Sequence, residues 1–184
     1  MFVIKAKESG FTMVEIVVVL IVVSILVAVA IPNLLGLYNY YRAKEAFIQL
    51  KSSINEAQRQ AMRRGKTCKI KLDEVTVKGS TKDRITVVSS LDPGERGKDY
   101  TNCLTSDRIL PESIDLETNI PGRTNKITFS HKGNTITSGT IRLSNTIGNF
   151  DRCLVISNGL GIMRTGSYDK NISGSMAKKC KSKN

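Results

Sequence analysis

The chain begins with a polar leader and continues into a long apolar segment. Residues 16–31 are sixteen in a row with a single polar member, Ser24. Extended to residue 37, the segment supplies about 22 mostly apolar positions, which correspond to about 33 Å of helix at 1.5 Å per residue. This length and hydrophobicity predict a helix that crosses a membrane.

Beyond Tyr41 the apolar positions recur at spacings of three and four, which is typical of one face of a helix. The seam consists of Ala43, Phe47, Leu50, Ile54, Ala57 and Ala61. No Gly or Pro interrupts it before Gly65, which follows a basic last turn as a C-cap does. We therefore expect one helix from Phe11 to Arg64. Because fewer than four heptads are present and half of the seam is Ala, we expect it to pack against a sheet and not as a coiled coil.

After Gly65 the period changes to two, the period of a half-buried strand. Cys68, Ile70 and Leu72 alternate with Lys69 and Lys71. Further strands are predicted at 75–78, 85–91, 127–130, 135–143 and 153–157, with a long loop at 92–126 that holds one short strand near 114–116. The fold class is therefore α+β, a long N-terminal helix whose second half packs on an antiparallel sheet.

Charge separates the two parts of the chain. Among 184 residues, 28 Lys and Arg face 16 Asp and Glu, for a net charge of +12. Between Phe11 and Tyr41 the one charged side chain is Glu15, so the excess lies in the body. His131 is the one His, which removes His-pair metal sites and Ser/His/Asp triads from consideration.

The N-terminal pattern has the outline of a secretory signal peptide, with Lys5 and Lys7 ahead of an apolar core. Two features depart from that reading. Pro32 and Asn33 make a poor cleavage site, and Glu15 places a carboxylate at the start of the apolar run. An ionisable group inside a membrane is costly and indicates a function with a partner.

The stretch KESGFTMVE at residues 7–15, followed by the apolar run, resembles the type III signal of type IV pilins and type II secretion pseudopilins. The resemblance implies that a prepilin peptidase cuts between Gly10 and Phe11 and that Phe11 is then N-methylated. It also implies that Glu15 pairs with the freed amine of Phe11, on the same or a neighbouring subunit, and that Pro32 marks a kink or a locally melted stretch.

The same resemblance divides the chain into a leader at 1–10, a transmembrane and filament-core helix at 11–41, and a globular head at 42–184. It implies a single-pass protein of the inner membrane with the head on the periplasmic side. Its expected partners are other pilin or pseudopilin subunits, the prepilin peptidase and the inner-membrane assembly platform.

The body carries a second resemblance, to GspH/FimT-like minor pilins. The matching residues are 57–65 at the helix end, 127–129, 133, 138–141, 153–157 and 161–165. In DNA-uptake members of that family a Gly-Arg-x-Arg motif contacts DNA. Here Arg164 supplies the second Arg, whereas Ile162 replaces the first.

Four cysteines remain, Cys68, Cys103, Cys153 and Cys180, with no CxxC pair. Without nearby His a zinc site is not expected. An even count in an exported body indicates two disulfides, for which three pairings exist. Pairing neighbours, Cys68 with Cys103 and Cys153 with Cys180, closes the shorter loops and is preferred.

Enzymatic interpretations find little support. Asp115 and Glu117 share a strand face, as surface carboxylates often do. Gly159 and Gly161 begin a dinucleotide-type loop that Arg164 interrupts and no helix follows. His131 fits a solvated turn. No catalytic residue, metal or cofactor is therefore expected.

The basic residues are the remaining clue. One group surrounds the helix end, and the other consists of Arg164, Lys170, Lys178, Lys179, Lys181 and Lys183. Such density attracts nucleic acid, acidic subunits, anionic lipids or envelope polysaccharide, and it also fits a solvated surface. Two hypotheses result: a minor pilin or pseudopilin with a structural role in a filament, and a filament component that also captures DNA. The residues do not separate a type IV pilus from a type II secretion filament.

Overall fold

The computed structural model describes residues 10–76, 83–89, 103–106, 108–111, 114–121 and 125–182. Within these ranges a long helix is followed by nine strands and one short helix. In chain order they are α1 Met13–Arg64, β1 Cys68–Thr76, β2 Asp83–Ser89, β3 Arg108–Ile109, β4 Asp115–Thr118, β5 Lys126–Phe129, β6 Gly139–Asn145, β7 Phe150–Ile156, β8 Met163–Tyr168, α2 Met176–Lys179 and β9 Cys180–Lys181. The α+β class predicted from the sequence is confirmed.

Both ends of α1 are capped by local chemistry. The backbone N–H of Glu15 donates to the Thr12 hydroxyl at 3.3 Å, which makes Thr12 the N-cap and starts the helix at Met13, two residues later than predicted. At the other end Gly65 adopts φ 64°, a left-handed conformation that suits glycine, and its N–H bonds to the Met62 carbonyl at 3.4 Å. The predicted C-cap is confirmed.

The axis of α1 bends by 47° between Met13–Ala28 and Asn33–Arg64. The bend contains position 32, where a proline donates no N–H to the helix, and it falls where Pro32 predicts a kink. Within the described ranges no unbroken helix has both the length and the apolar character of a membrane span. The two portions meet that criterion together, as a bent pair.

The strands form two antiparallel sheets, whereas the sequence predicted one. Sheet A has the order β3-β2-β1-β5, and sheet B has the order β4-β6-β7-β8-β9. Isolated bridges of Thr135 to Phe129 and to Gly159 connect them.

Threonine hydroxyls explain the division. The Thr135 hydroxyl donates to the Thr128 carbonyl at 2.8 Å, and the Thr137 hydroxyl accepts from the Thr128 N–H at 3.2 Å. These side chains take the backbone partners that a continuous ladder would use. For the same reason β6 begins at Gly139 and not at Thr135 as predicted.

Other strand differences are smaller. The predicted strands at 68–72 and 75–78 are one strand through Thr76, and positions 77–78 lie outside the described residues. The predicted long loop contains β3 as well as β4. β8 was not predicted, because its residues Arg164 to Tyr168 show no apolar alternation and it is held by pairing with β7 and β9.

The core lies between the second half of α1 and the inner faces of both sheets. Every predicted seam residue except Phe47 is fully buried, and Phe47 is half-buried. Ala46 and Ser53 are also buried in the seam, and the Ser53 hydroxyl donates a hydrogen bond to the Gln49 carbonyl at 2.8 Å. The seam packs against Ile70, Leu72, Ile127 and Phe129 of sheet A and against Ile141, Leu143, Leu154 and Ile156 of sheet B.

Candidate functional site

The first half of α1 is largely exposed. From Phe11 to Tyr41 the large apolar side chains whose burial is described are 47–85% exposed, with the exception of the half-buried Tyr40, whereas the seam that begins at Ala43 is fully buried except for Phe47. Contiguous apolar surface on this scale marks a protein or membrane interaction site. The boundary between the two halves is the place where the head begins to cover the helix.

The residues of the peptidase motif lie at the start of this bare segment. Gly10 and Phe11 are exposed and precede the helix, so the bond between them lies in non-helical chain. Glu15 is exposed in the first turn, where a carboxylate interacts favourably with the helix dipole. Within the described part of the chain no cation forms a salt bridge with it.

Two disulfides staple the head, and they join the pairs preferred from the sequence. Cys68 and Cys103 have Cα atoms 5.5 Å apart, and Cys153 and Cys180 have Cα atoms 5.8 Å apart. Cys153 is on β7 and Cys180 on β9, with β8 between them in the sheet order. In a flat sheet these strands would be about 9.5 Å apart, so β9 curls over the outer face of sheet B.

Gly166 of β8 makes that crossing possible. A Cβ at this position would collide with the Lys181 carbonyl carbon at 2.6 Å. The absence of a side chain therefore admits the C-terminal segment above β8, and the Cys153–Cys180 bridge fastens it there. The sequence pattern did not single out Gly166.

A carboxylate of α1 binds the segment that follows the Cys68–Cys103 disulfide. Glu56 of α1 accepts from the Thr105 N–H at 2.9 Å and from its hydroxyl at 2.6 Å, and Arg108 lies 3.7 Å away. The hydrogen bond from the Thr105 hydroxyl, reinforced by the Thr105 N–H and by Arg108, lowers the pKa of Glu56 against the opposing effect of burial. This cluster ties the segment after Cys103 to the helix.

A buried cation organises the outer face of sheet B. Arg142 donates to both oxygens of Asp151, at 2.8 and 2.6 Å, and to Glu117 at 2.7 Å. Its guanidinium lies 4.5 Å from the Tyr168 ring centroid. The hydrogen bond to Asp151, followed by that to Glu117, raises the pKa of Arg142 further above its ordinary value despite burial. Glu117, which shares a strand face with Asp115, is thus the partner of a structural arginine.

The predicted DNA-binding residues lie on β8 and on the segment that follows it. Arg164 is exposed, and its alternation with Met163 and Thr165 directs it to the outer face. Lys170 lies 3.9 Å from Asp151, and Lys181 lies 3.3 Å from Asp169. The remaining candidates are Lys178, which is exposed, Lys179, which is half-buried, and Lys183, which lies outside the described residues.

The glycines of the suspected dinucleotide loop have a structural role. Gln58 of α1 donates to the Gly133 carbonyl at 2.9 Å and to the Gly161 carbonyl at 3.4 Å. Gly161 has φ 65°, and a Cβ there would meet the Gly133 carbonyl at 2.7 Å. The loop therefore packs against α1 and forms no phosphate cradle. Across the described ranges no group of His, Cys, Asp and Glu is placed to hold a metal ion.

Sequence reasoning missed Gln58, Arg142 and Gly166. A charged residue between Ile141 and Leu143 in an otherwise buried strand was a usable signal for Arg142, since buried charges are paired. Gln58 and Gly166 carried no such signal, because their roles depend on segments far away in the chain.

A long helix with a bare apolar first half and a sheet-bearing head defines the pilin-like class of protein. Residues 5–31 match the prokaryotic N-terminal methylation motif. Residues 47–160, more than half of the chain, match the family described as type II transport protein GspH. The chain belongs to the GspH family, whose members are structural pilin and pseudopilin subunits and not enzymes. No curated protein and no solved structure matches it.

Membership has direct consequences for location. The methylation motif and the GspH match imply anchoring in the inner membrane with a periplasmic head, assembly with other pilin or pseudopilin subunits, and processing by a prepilin peptidase. An oxidising compartment outside the cytoplasm is also where the two disulfides persist.

Proposed function

We propose that this protein is a minor subunit of a type II secretion or type IV pilus filament. Before assembly it is anchored in the inner membrane by the apolar first half of α1. On assembly it is incorporated into the filament, where the helices of neighbouring subunits replace the lipid around that half. The observation that carries the proposal is the abrupt change at residue 42 between bare and buried faces of one continuous helix. Both lipid and a bundle of like helices satisfy the bare face.

Maturation is the first requirement of this role. We propose cleavage between Gly10 and Phe11 and N-methylation of Phe11. Intact-mass measurement of the chain purified from a host with a prepilin peptidase should give a mature protein that begins at N-methyl-Phe11. A chain that retains Met1, or one cut after Ala30, would contradict the assignment.

Docking is the second requirement. We propose that the Glu15 carboxylate pairs with the amine of Phe11, because pairing offsets much of the cost of placing each charge in an apolar filament core. Glu15→Ala should be processed and inserted normally but recovered poorly in sheared filaments. Ser24→Ala is the matched control, since Ser24 is polar in the same segment and bonds to its own helix at the Ile21 carbonyl. Equal recovery of both variants would rule out the docking role.

A second candidate function is DNA capture. It is supported by the placement of Arg164 on the outer face of sheet B, over which the Lys-rich C-terminal segment crosses. Asp151 and Asp169 reduce the charge available there. In a salt titration on duplex DNA, the slope of log affinity against log salt concentration should decrease in magnitude by about one for each contacting cation removed. The variants are Arg164→Ala and a Lys→Ala tail at 178, 179, 181 and 183. Undetectable binding at about 50 mM salt would eliminate this role.

A further inference from the structure

The junction between bare helix and head lies at a level that can be estimated. From Met13 to Tyr40 the path along the helix is about 40 Å at 1.5 Å per residue, which even with the 47° bend exceeds the hydrocarbon core of a bilayer, about 30 Å, and reaches its head groups. Tyr38, Tyr40 and Tyr41 therefore reach the periplasmic head-group layer, where Tyr is enriched in membrane proteins. Arg42 lies 5.5 Å from the Tyr38 ring centroid, and Lys44 lies 5.8 Å from that of Tyr41.

At this same level a crevice of about 240 Å³ separates α1 from the inner face of sheet B. Its walls include Tyr40, Lys44, Phe47, Phe150, Arg152 and Thr165, with no Asp or Glu among the lining residues. Phe150 meets Tyr40 and Phe47 edge-on, at centroid distances of 5.7 and 6.2 Å. Arg152 is held by a 3.1 Å hydrogen bond to the Ser167 hydroxyl. The crevice thus has an aromatic wall and two cations.

The turn between β6 and β7 adds an apolar contact at the same level. Gly148 is buried so closely against α1 that a Cβ would lie 2.5 Å from the Tyr40 nitrogen. The Gly148 N–H donates to the Asn145 side chain at 2.7 Å, a bond that closes the turn. Ile147, at its tip, is 68% exposed. A large exposed apolar side chain near the point where a membrane helix enters the head suits the head-group boundary.

We propose that the crevice binds the phosphate of an anionic phospholipid in the periplasmic leaflet, and this inference rests on the membrane-anchored state of the proposed function. Lys44 and Arg152 hold the phosphate, Arg152 as a planar fork and Lys44 as a point charge. The acyl chains follow the exposed apolar face of α1 below Tyr38. Ile147 enters the same boundary and holds the head upright on the membrane before assembly.

The test measures lipid preference on the mature full-length chain. Native mass spectrometry in a nonionic detergent, with equal amounts of phosphatidylglycerol and phosphatidylcholine, gives the relative affinities. We expect phosphatidylglycerol to be preferred. The double variant Lys44→Gln/Arg152→Gln should bind it about 30-fold more weakly, since each cation near an anionic lipid surface contributes about fivefold.

Three further arms make the result specific. Arg63→Gln/Lys132→Gln removes two exposed cations near the opposite end of the head and should bind as the parent does. Arg152→Lys keeps the charge and should retain most of the preference, which separates charge from a folding defect. Excess glycerol phosphate should not displace the lipid, because the acyl chains contribute to binding. Displacement would instead assign the crevice to free phosphate and overturn the proposal.

The proposal and the function beneath it fail separately. Equal binding of both lipids, or an equal loss in the Arg63/Lys132 control, would overturn the head-group site while membrane insertion and filament recovery stand. If the double variant binds lipid normally but enters filaments poorly, the crevice contacts a neighbouring subunit and the lipid site is wrong. If the parent chain is released from vesicles by a carbonate wash, both proposals fail.

Discussion

Replacement of Arg142 by Met tests whether one buried cation holds the outer face of sheet B together. The Arg142 side chain is 7% exposed. Its replacement removes three charged hydrogen bonds and the contact with the Tyr168 ring. Glu117 is 56% exposed, so water solvates its carboxylate once Arg142 is gone. The Arg142–Glu117 ion pair therefore contributes at most about 1 kcal/mol to the free energy of unfolding. The paired bonds to Asp151, which is 25% exposed, and the stacking on Tyr168 account for about 2–3 kcal/mol more. We expect a total loss of about 3 kcal/mol in the free energy of unfolding.

The assay is urea unfolding of the mature chain in detergent, followed by near-ultraviolet circular dichroism of its tyrosines. A double-mutant cycle with Asp151→Asn separates the pair from the rest of the network. Much of the cost of Arg142→Met is an orphaned carboxylate, so the double variant should lose about 2 kcal/mol less than the sum of the single losses. Arg63→Met, at an exposed position, serves as the matched control and should change stability by less than about 0.5 kcal/mol.

Two results would refute this reasoning. A loss below about 1 kcal/mol for Arg142→Met would show that solvent or Lys170, 3.9 Å from Asp151, replaces the guanidinium without cost. Strict additivity in the cycle would show that Arg142 and Asp151 do not depend on each other, and that the side chain acts through packing alone.

Three further outcomes are expected. Because the pKa of Glu56 is lowered on folding, the ionised carboxylate stabilises the fold above the ordinary pKa of 4.5, and this stabilisation is lost as pH falls through the lower folded value. The free energy of unfolding should therefore fall less steeply with decreasing pH in Glu56→Gln than in the parent. An unchanged pH profile would assign the acid sensitivity to other groups. Gly166→Ala should lift β9 and cost about 1–3 kcal/mol, with faster amide exchange at 180–182, whereas Gly36→Ala, where a Cβ meets open space, should leave those amides unchanged. Removal of the Cys153–Cys180 bridge by paired Ser substitutions should cost about 2–4 kcal/mol for its 27-residue separation, and stability equal to the parent would mean that the segment is held by β9 pairing alone.

Local chemistry made the helix predictable. Its seam, its Gly65 cap and its bare first half depend on neighbours within one or two turns, so periodicity and composition were sufficient to place them. Only the Phe47 position of the seam differs in degree, because it lies at the edge of the head where the crevice opens. The family resemblance depended on the same short-range features, in the motif around Gly10, Phe11 and Glu15.

The arrangement of the sheets was decided by contacts between distant residues. The Thr135 and Thr137 hydroxyls compete with a backbone ladder only once Thr128 is beside them, and this competition produces two sheets. Strand β8 has no apolar pattern of its own and exists because β7 and β9 supply its partners. Such pairings cost conformational entropy, and the favourable free energy of the long-range contacts offsets that cost. Periodicity along the chain does not reveal those contacts.

The sequence by itself therefore determined the class of protein: an apolar helix with a peptidase motif, continued into an oxidised, basic head. Tertiary structure alone decided which distant residues of the head come together. It placed Lys44 and Arg152, which are far apart in the chain, in the walls of one crevice, and it set Gly148, the neighbour of Ile147 in the turn, against the backbone of Tyr40. It also paired Lys170 and Lys181 with acids that the charge count treated as independent. The physical reason is that a site of this kind is defined by distances across the fold, whereas a helix is defined by spacing along the chain.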